Sequence, residues 1–398
     1  VAACNGLGAG DPPGTNETSH GDGDGDGDGD GSTDVGDGDT TTDTTTDTTT
    51  DTGGDPGSPV IPARIRRLTV SEYNASVQAL IGTTTTPADQ FPPDMRQQGF
   101  TLNEAQRVDP ILARQLDDAA TLLADEVLTK LDQFEPCPDQ AFEECGGRFI
   151  DDFATRAYRR PLTTEDRDAL LGLFNLGLEG GDYNEAIHLV VRGILQSPGF
   201  LYITEIGDGS GSDVVTMTGH EVAASLSYLL TGGPPDGALL EAADAGQLST
   251  PDERAAQARR LLETTAGQDR GLRIVREWLG IDRMLVTAKD ANLFNGFDGL
   301  REDMDQETDA FVREILTNQN GDVSALLGST LNVASQDLVS LYGGQVGEAL
   351  SERPGLLNRA AFLSIYGHAN ENSPIKRGTA VLRRIACKEI ELPTNLQV

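Results

Sequence analysis

The sequence predicts a mainly α protein: a multi-helical globular body with at most one short hairpin, preceded by a disordered acidic tether. Three observations predict it. From residue 61 onward, apolar side chains recur with the 3.6-residue period of amphipathic helices, and helix-start signals precede many of those runs. Alternating strand patterns are scarce. From Val1 to Pro59 there are almost no large apolar side chains, so ordering that stretch gains too little burial to offset its entropy.

The tether comes first. Up to Ala63 there are thirteen Asp and one Glu with no Lys or Arg, so these residues carry 14 of the 34 excess negative charges. They run through an Asp-Gly repeat and a Thr-Thr-Thr-Asp repeat. Val1-Ala2-Ala3-Cys4 reads as the last four positions of a lipobox, with Cys4 the expected acylated residue, which makes this a membrane-anchored lipoprotein of the cell envelope. Asp26, Asp28, Asp30, Asp34 and Asp37, with Gly31, fall on the ligand positions of an EF-hand-like loop, a candidate calcium site. The competing reading is a solvated tether, because flanking helices are missing and an Asp-Gly repeat creates most of the spacing by itself.

The helices follow in order. Thr69 with Glu72 has capping-box spacing and puts Val70, Tyr73, Val77 and Leu80 on one face. Leu112, Leu116, Ala119, Leu123, Val127 and Leu131 form a longer stripe, and Thr163 to Asp166 opens another helix. Ile187, Val190, Val191, Ile194 and Leu195 mark a well-buried face that Ser197-Pro198 stops. Thr218 with Glu221 is a second full box, leading into Val222, Leu226 and Leu229 as the inward face. Thr250-Pro251-Asp252-Glu253 joins a cap, a proline at the first helical position and a Glu three residues on.

Leu272, Val275 and Trp278 share a face, as do Met304, Thr308, Phe311 and Ile315. Ser373-Pro374 opens a last helix with Ile375, Gly378, Val381, Leu382 and Ile385 inward. Phe200–Thr204 and Val214–Met217, on either side of a Gly-rich turn, are the expected hairpin. Segments are expected at 61–148, 149–215, 216–350 and 351–398 after a tether of 1–60, and the linker-like run from Leu392 suggests that more chain follows.

Several function classes are disfavoured. An acidic chain without a basic stripe repels phosphate backbones, so no nucleic-acid partner is expected. No Gly-x-Ser-x-Gly elbow, phosphate loop or dinucleotide fingerprint is present. Cys137 and Cys145, eight residues apart between helices, read as a disulfide in an oxidising compartment, with a metal site as the alternative. Cys387 reads as a buried free thiol on an apolar face. His188, His220 and His368 read as structural or solvated, since none has a second ligand at helical spacing. Paired carboxylates such as Glu302 with Asp303, or Asp305 with Glu307, read as the wet face of an acidic helix, and Glu307 also fits a buried hydrogen-bonding role.

Four blocks carry a resemblance. They are Arg66–Asn74 with Leu80-Ile81-Gly82; Phe153 to Thr163, containing Arg159-Arg160-Pro161-Leu162; Gln196 to Tyr202 through Leu226-Ser227-Tyr228 to Glu277-Trp278-Leu279; and Met304, Glu307-Thr308, Phe311, Asn332, Leu341-Tyr342-Gly343, Arg353–Leu357, Ser373–Gly378 and Cys387. In this order they resemble the planctomycete and myxobacterial surface proteins of the planctomycete cytochrome C domain family, with their associated domains of unknown function. The resemblance implies an exported scaffold of a c-type-haem-linked redox or envelope system, with an envelope redox partner and no reaction defined. Covalent haem requires Cys-x-x-Cys-His, which these 398 residues lack, so no cofactor is expected in this chain and haem only in a segment beyond it. The alternative is a non-catalytic surface binding or structural protein, aided by calcium on the tether.

Overall fold

The computed structural model describes residues 62–388, apart from 98, 104–106, 136, 138–140, 208 and 210–213. The tether, Cys4, the five candidate calcium ligands and the run from Leu392 lie outside the described residues. The remainder is a succession of helices joined by short turns, with two small antiparallel ribbons.

Strand β1 (Arg64–Arg67) leads into α1 (Val70–Ile81) through a reciprocal cap: Thr69 Oγ1 accepts from Glu72 N–H, and the Glu72 carboxylate accepts from Thr69 N–H at 3.0 Å. Gly82, at φ 69, ends the helix in the left-handed region. After the hairpin of β2 (Arg96–Gln97) and β3 (Phe100–Thr101) comes α2 (Pro110–Thr129), whose expected stripe of Leu112, Leu116, Ala119, Leu123 and Val127 is buried. Short α3 (Leu131–Phe134) precedes α4 (Phe142–Tyr158), α5 (Thr164–Gly180) and α6 (Tyr183–Gln196). Gly177 lets α5 sit directly on α6, since a β-carbon there would overlap the backbone of Ala186. Ser197 stops α6 and at once caps a single turn, α7 (Pro198–Leu201), which runs into β4 (Tyr202–Glu205).

The second half holds α8 (Gly219–Thr231), α9 (Gly237–Asp244), α10 (Pro251–Leu262), α11 (Thr265–Leu279), α12 (Phe297–Asn318), α13 (Val323–Gly328), α14 (Gln336–Tyr342), α15 (Ala360–Ile365) and α16 (Pro374–Arg384). The boxes at Thr163, Thr218 and Thr250 all form. One core runs from Leu68 to Tyr228 through α1, α2 and α4 to α8; a second joins α11 to α16, from Leu272 to Ala380. A small third cluster sits between α8, α9 and α10 around Leu239 and Leu261.

Four expectations are corrected. Residues 214–217 form no strand; β4 instead pairs antiparallel with β1, in the register Arg64↔Glu205 to Arg67↔Tyr202. In α8, Val222 and Leu226 pack half-buried on the third cluster as expected, but Leu229 is exposed and the most buried residues are Ala223, Ala224, Ser227 and Tyr228, because small residues let this helix contact two cores at once. In α16, Ile375 and Leu382 are exposed and Ala380 is buried. That helix is fixed by polar ends: Arg377 donates to Leu363 O (2.9 Å), Arg384 to Glu277 O (3.0 Å), and Trp278 Nε1 to Arg384 O (2.6 Å). Cys387 lies past the helix end at φ 50 and is exposed, so it is not a buried group on the helix face. Among the described residues no helix is long and apolar enough to cross a membrane.

Gly355 sits at φ 68, where a β-carbon would also overlap the Leu327 carbonyl. Both the conformation and the overlap oppose any side chain there. Gly355→Ala should lower stability by roughly 3 kcal/mol, read as a reduced urea midpoint with an unchanged slope.

Candidate functional site

The helix α4 ends on Arg159, which adopts φ 61 although it is not glycine. That strained turn aims its guanidinium inward, and the residue is only 4 % exposed. It donates to the carbonyls of Gly199 (2.9 Å), Phe200 (3.1 Å) and Tyr202 (2.8 Å) and to Tyr228 Oη (3.3 Å). The Tyr228 ring has Arg159 at 5.6 Å and Arg66 at 5.9 Å from its centroid, and its hydroxyl shares a hydrogen bond with Ser76 Oγ (2.7 Å). Arg66 in turn grips both oxygens of Glu72 (2.7 and 3.1 Å), the carboxylate that caps α1. A single polar network thus joins β1, α1, α4, the α7–β4 turn and α8.

Beside this network opens a cleft of about 480 Å³. Its walls come from Tyr158, Pro198 and Gly199 on one side and from Thr218, His220 and Ala224 at the start of α8 on the other, with Tyr202 and Thr204 of β4 between them. Glu221 also lines it, but its carboxylate already accepts from the N–H groups of Ile206 (2.8 Å), Gly207 (3.1 Å) and Thr218 (2.8 Å). It is committed to folding and is not free to act as a base. His220 Nε2 lies 3.1 Å from Asp244 Oδ1. Burial pushes the Tyr158 phenol above its usual range, although a hydrogen bond with Ser197 opposes the shift, so it stays a neutral hydroxyl near pH 7. The cleft therefore offers shape, tyrosine rings and hydrogen bonds, the features of a binding site.

The Glu307 block forms a second buried network. Glu307 and Arg359 are paired at 2.9 Å with both side chains fully buried. Tyr342 Oη donates to Glu307 (2.5 Å) and accepts from Ala360 N–H (3.0 Å), and Arg359 lies 4.5 Å from the Phe311 ring centroid and donates to Leu331 O. Burial first, and then the Glu307 charge, push the Tyr342 phenol far above its ordinary value. Thr308 Oγ1 donates to Met304 O (2.9 Å). These contacts fit the hydrogen-bonding reading of the block. Of the carboxylates read as a wet face, Asp305 instead clasps Arg276 of α11 together with Asp309, and Asp303 accepts from Ser335 Oγ (2.7 Å).

The remaining sequence candidates are dispersed. Cys137 and Cys145 are joined as a disulfide. His188 faces Asp125 at 3.1 Å, and the His368 carbonyl accepts from Lys289 Nζ (2.6 Å). Among the described residues no three His, Cys, Asp or Glu side chains are grouped as a metal site would require. Sequence reading missed the Arg159–Tyr228 contact. Its only local trace is an arginine placed just before Arg160-Pro161, at the point where the apolar period of α4 stops.

Arg359→Met should cost about 3–5 kcal/mol, because it strands a buried carboxylate, whereas adding Glu307→Gln should restore part of that loss in a double-mutant cycle. Reducing the eight-residue Cys137–Cys145 loop should cost about 2.5 kcal/mol, and non-reducing peptide mapping should recover the joined fragment.

No curated protein and no solved structure matches the chain. Three family models do match, each described as a protein of unknown function. Residues 66–129 match DUF1587, which spans β1 to α2. Residues 145–205 match DUF1595, closing on β4. Residues 217–343 match DUF1592, which begins at the cap of α8 and ends just past α14. The cleft is thus walled by residues of the second and third matches, beside a strand of the first. In chain order these are the three domains that make up the planctomycete cytochrome C-associated set.

Proposed function

We propose that this chain is the helical scaffold of an exported, c-type-haem-linked redox or envelope system, held at the membrane through a lipid on Cys4. The observation that carries the reading is the ordered set of three family matches, whose domains are associated with a cytochrome C domain. The Cys137–Cys145 disulfide supports it, since such bonds persist in oxidising compartments outside the cytosol. Covalent haem requires Cys-x-x-Cys-His, which these residues lack, so in this reading the chain positions a redox centre that it does not itself carry. A second reading, a non-catalytic surface binding protein, is favoured by the cleft at α8.

Two measurements on the native protein test the proposal. Its full reading frame should contain a downstream Cys-x-x-Cys-His, and the purified protein should show a c-type haem spectrum after denaturation; a frame without that motif removes the haem link. Mass spectrometry of the mature N-terminus should find diacylglycerol on Cys4, and an unmodified peptide extending upstream of Cys4 would remove the anchor.

A further inference from the structure

Strand β4 has one edge on β1 and the other on the cleft. Along a strand, the main-chain N–H and C=O of alternate residues point to opposite edges. Tyr202 N–H donates to Pro198 O and its C=O accepts from Arg159, while Ile206 N–H donates to Glu221; both residues therefore face away from β1. Arg67 N–H, in the non-hydrogen-bonded pair opposite Tyr202, correspondingly turns outward to Asn103 O, and Leu68 N–H bonds Leu201 O. Thr204 lies between Tyr202 and Ile206, so its N–H and C=O face the cleft that it lines. Among the described residues nothing takes either group.

We infer that this cleft binds one residue of an extended peptide, which pairs with the main chain of Thr204 and lays an apolar side chain against Tyr158, Pro198, Ile206 and Ala224. The chemistry follows from the edge. An open N–H and C=O on one residue are matched together by one extended residue of a guest chain, through the two-bond exchange of an antiparallel pair. The edge is closed on either side by Arg159 and Glu221, so pairing stops after that residue. The specificity then comes from the cleft, whose volume accepts a side chain as large as phenylalanine. This inference goes beyond the scaffold reading and stands without it.

The test uses the full chain and a set of blocked tripeptides, acetyl-Gly-X-Gly-amide with X as Val, Leu, Phe or Tyr, titrated while the Thr204 amide resonance is followed by NMR. At least one peptide should shift Thr204 and Ala224 saturably, and methylating the nitrogen of X should weaken it about fivefold or more by removing one of the two bonds. Ala224→Leu, which fills the cleft, should abolish the shift. Ile206→Asp at the exposed rim should do the same without touching a buried side chain, with far-UV circular dichroism reporting an intact fold. The inference is overturned if no peptide moves Thr204, if the methylated peptide or free phenol binds as tightly as its parent, or if a folded Ile206→Asp variant binds unchanged.

Discussion

A buried guanidinium is costly unless its N–H groups find acceptors, and the two terminal nitrogens of Arg159 find them in carbonyl oxygens and a phenol, with no carboxylate among their partners in the described residues. The turn Gly199–Tyr202 exposes several carbonyls in one direction, because a single helical turn cannot satisfy its own last acceptors. Each side of the contact supplies what the other lacks. The left-handed backbone at Arg159 is the conformational cost of aiming the side chain there. Tyr228, between two guanidinium groups, carries the connection into α8, and Glu72 carries it into α1. Helices from three separately matched stretches of sequence are thereby held to one centre, and the cleft is the space left beside it.

How much of this is legible in the sequence depends on range. The caps at Thr69, Thr163, Thr218 and Thr250 involve residues three apart, so residue types alone specify them. The stripes of α2 and α6 are equally plain, since each buries one uniform apolar face. Reading fails where a helix contacts two neighbours. The leucines of α8 suggest one inward face, but Leu229 is exposed while the alanines, Ser227 and Tyr228 are the most deeply buried, and only the positions of other helices decide that. The strand at Tyr202–Glu205 is readable as a strand, yet its partner is set by the whole intervening fold. The site is the least legible part, because Arg159 and Tyr228 lie far apart in sequence and neither belongs to a motif with known chemistry.

The charge of the folded part shows a related economy. In a chain with 64 acidic and 30 basic residues, the arginines are scarce and are spent at junctions. Arg276 ties α11 to α12, Arg260 ties α10 to the cap of α9 at Asp236, and Arg359 neutralises Glu307 inside the second core. Isolated exposed pairs contribute little to stability, but the partly or fully buried ones fix which helices meet. Any packing of α12 against α15 that left Glu307 or Arg359 buried and unmatched would carry the cost of an uncompensated charge.

The pairing of β1 with β4 has a consequence in time. Arg64 and Glu205 are 141 residues apart, so a ribosome that has released β1 must still make nearly all of the first core before its partner emerges. At cellular synthesis rates that delay is on the order of ten seconds. Throughout it the β1 ribbon edge is unpaired and the α1 cap lacks the support of Tyr228. The nascent chain is most exposed to wrong partners during that interval, and chaperone demand should concentrate there.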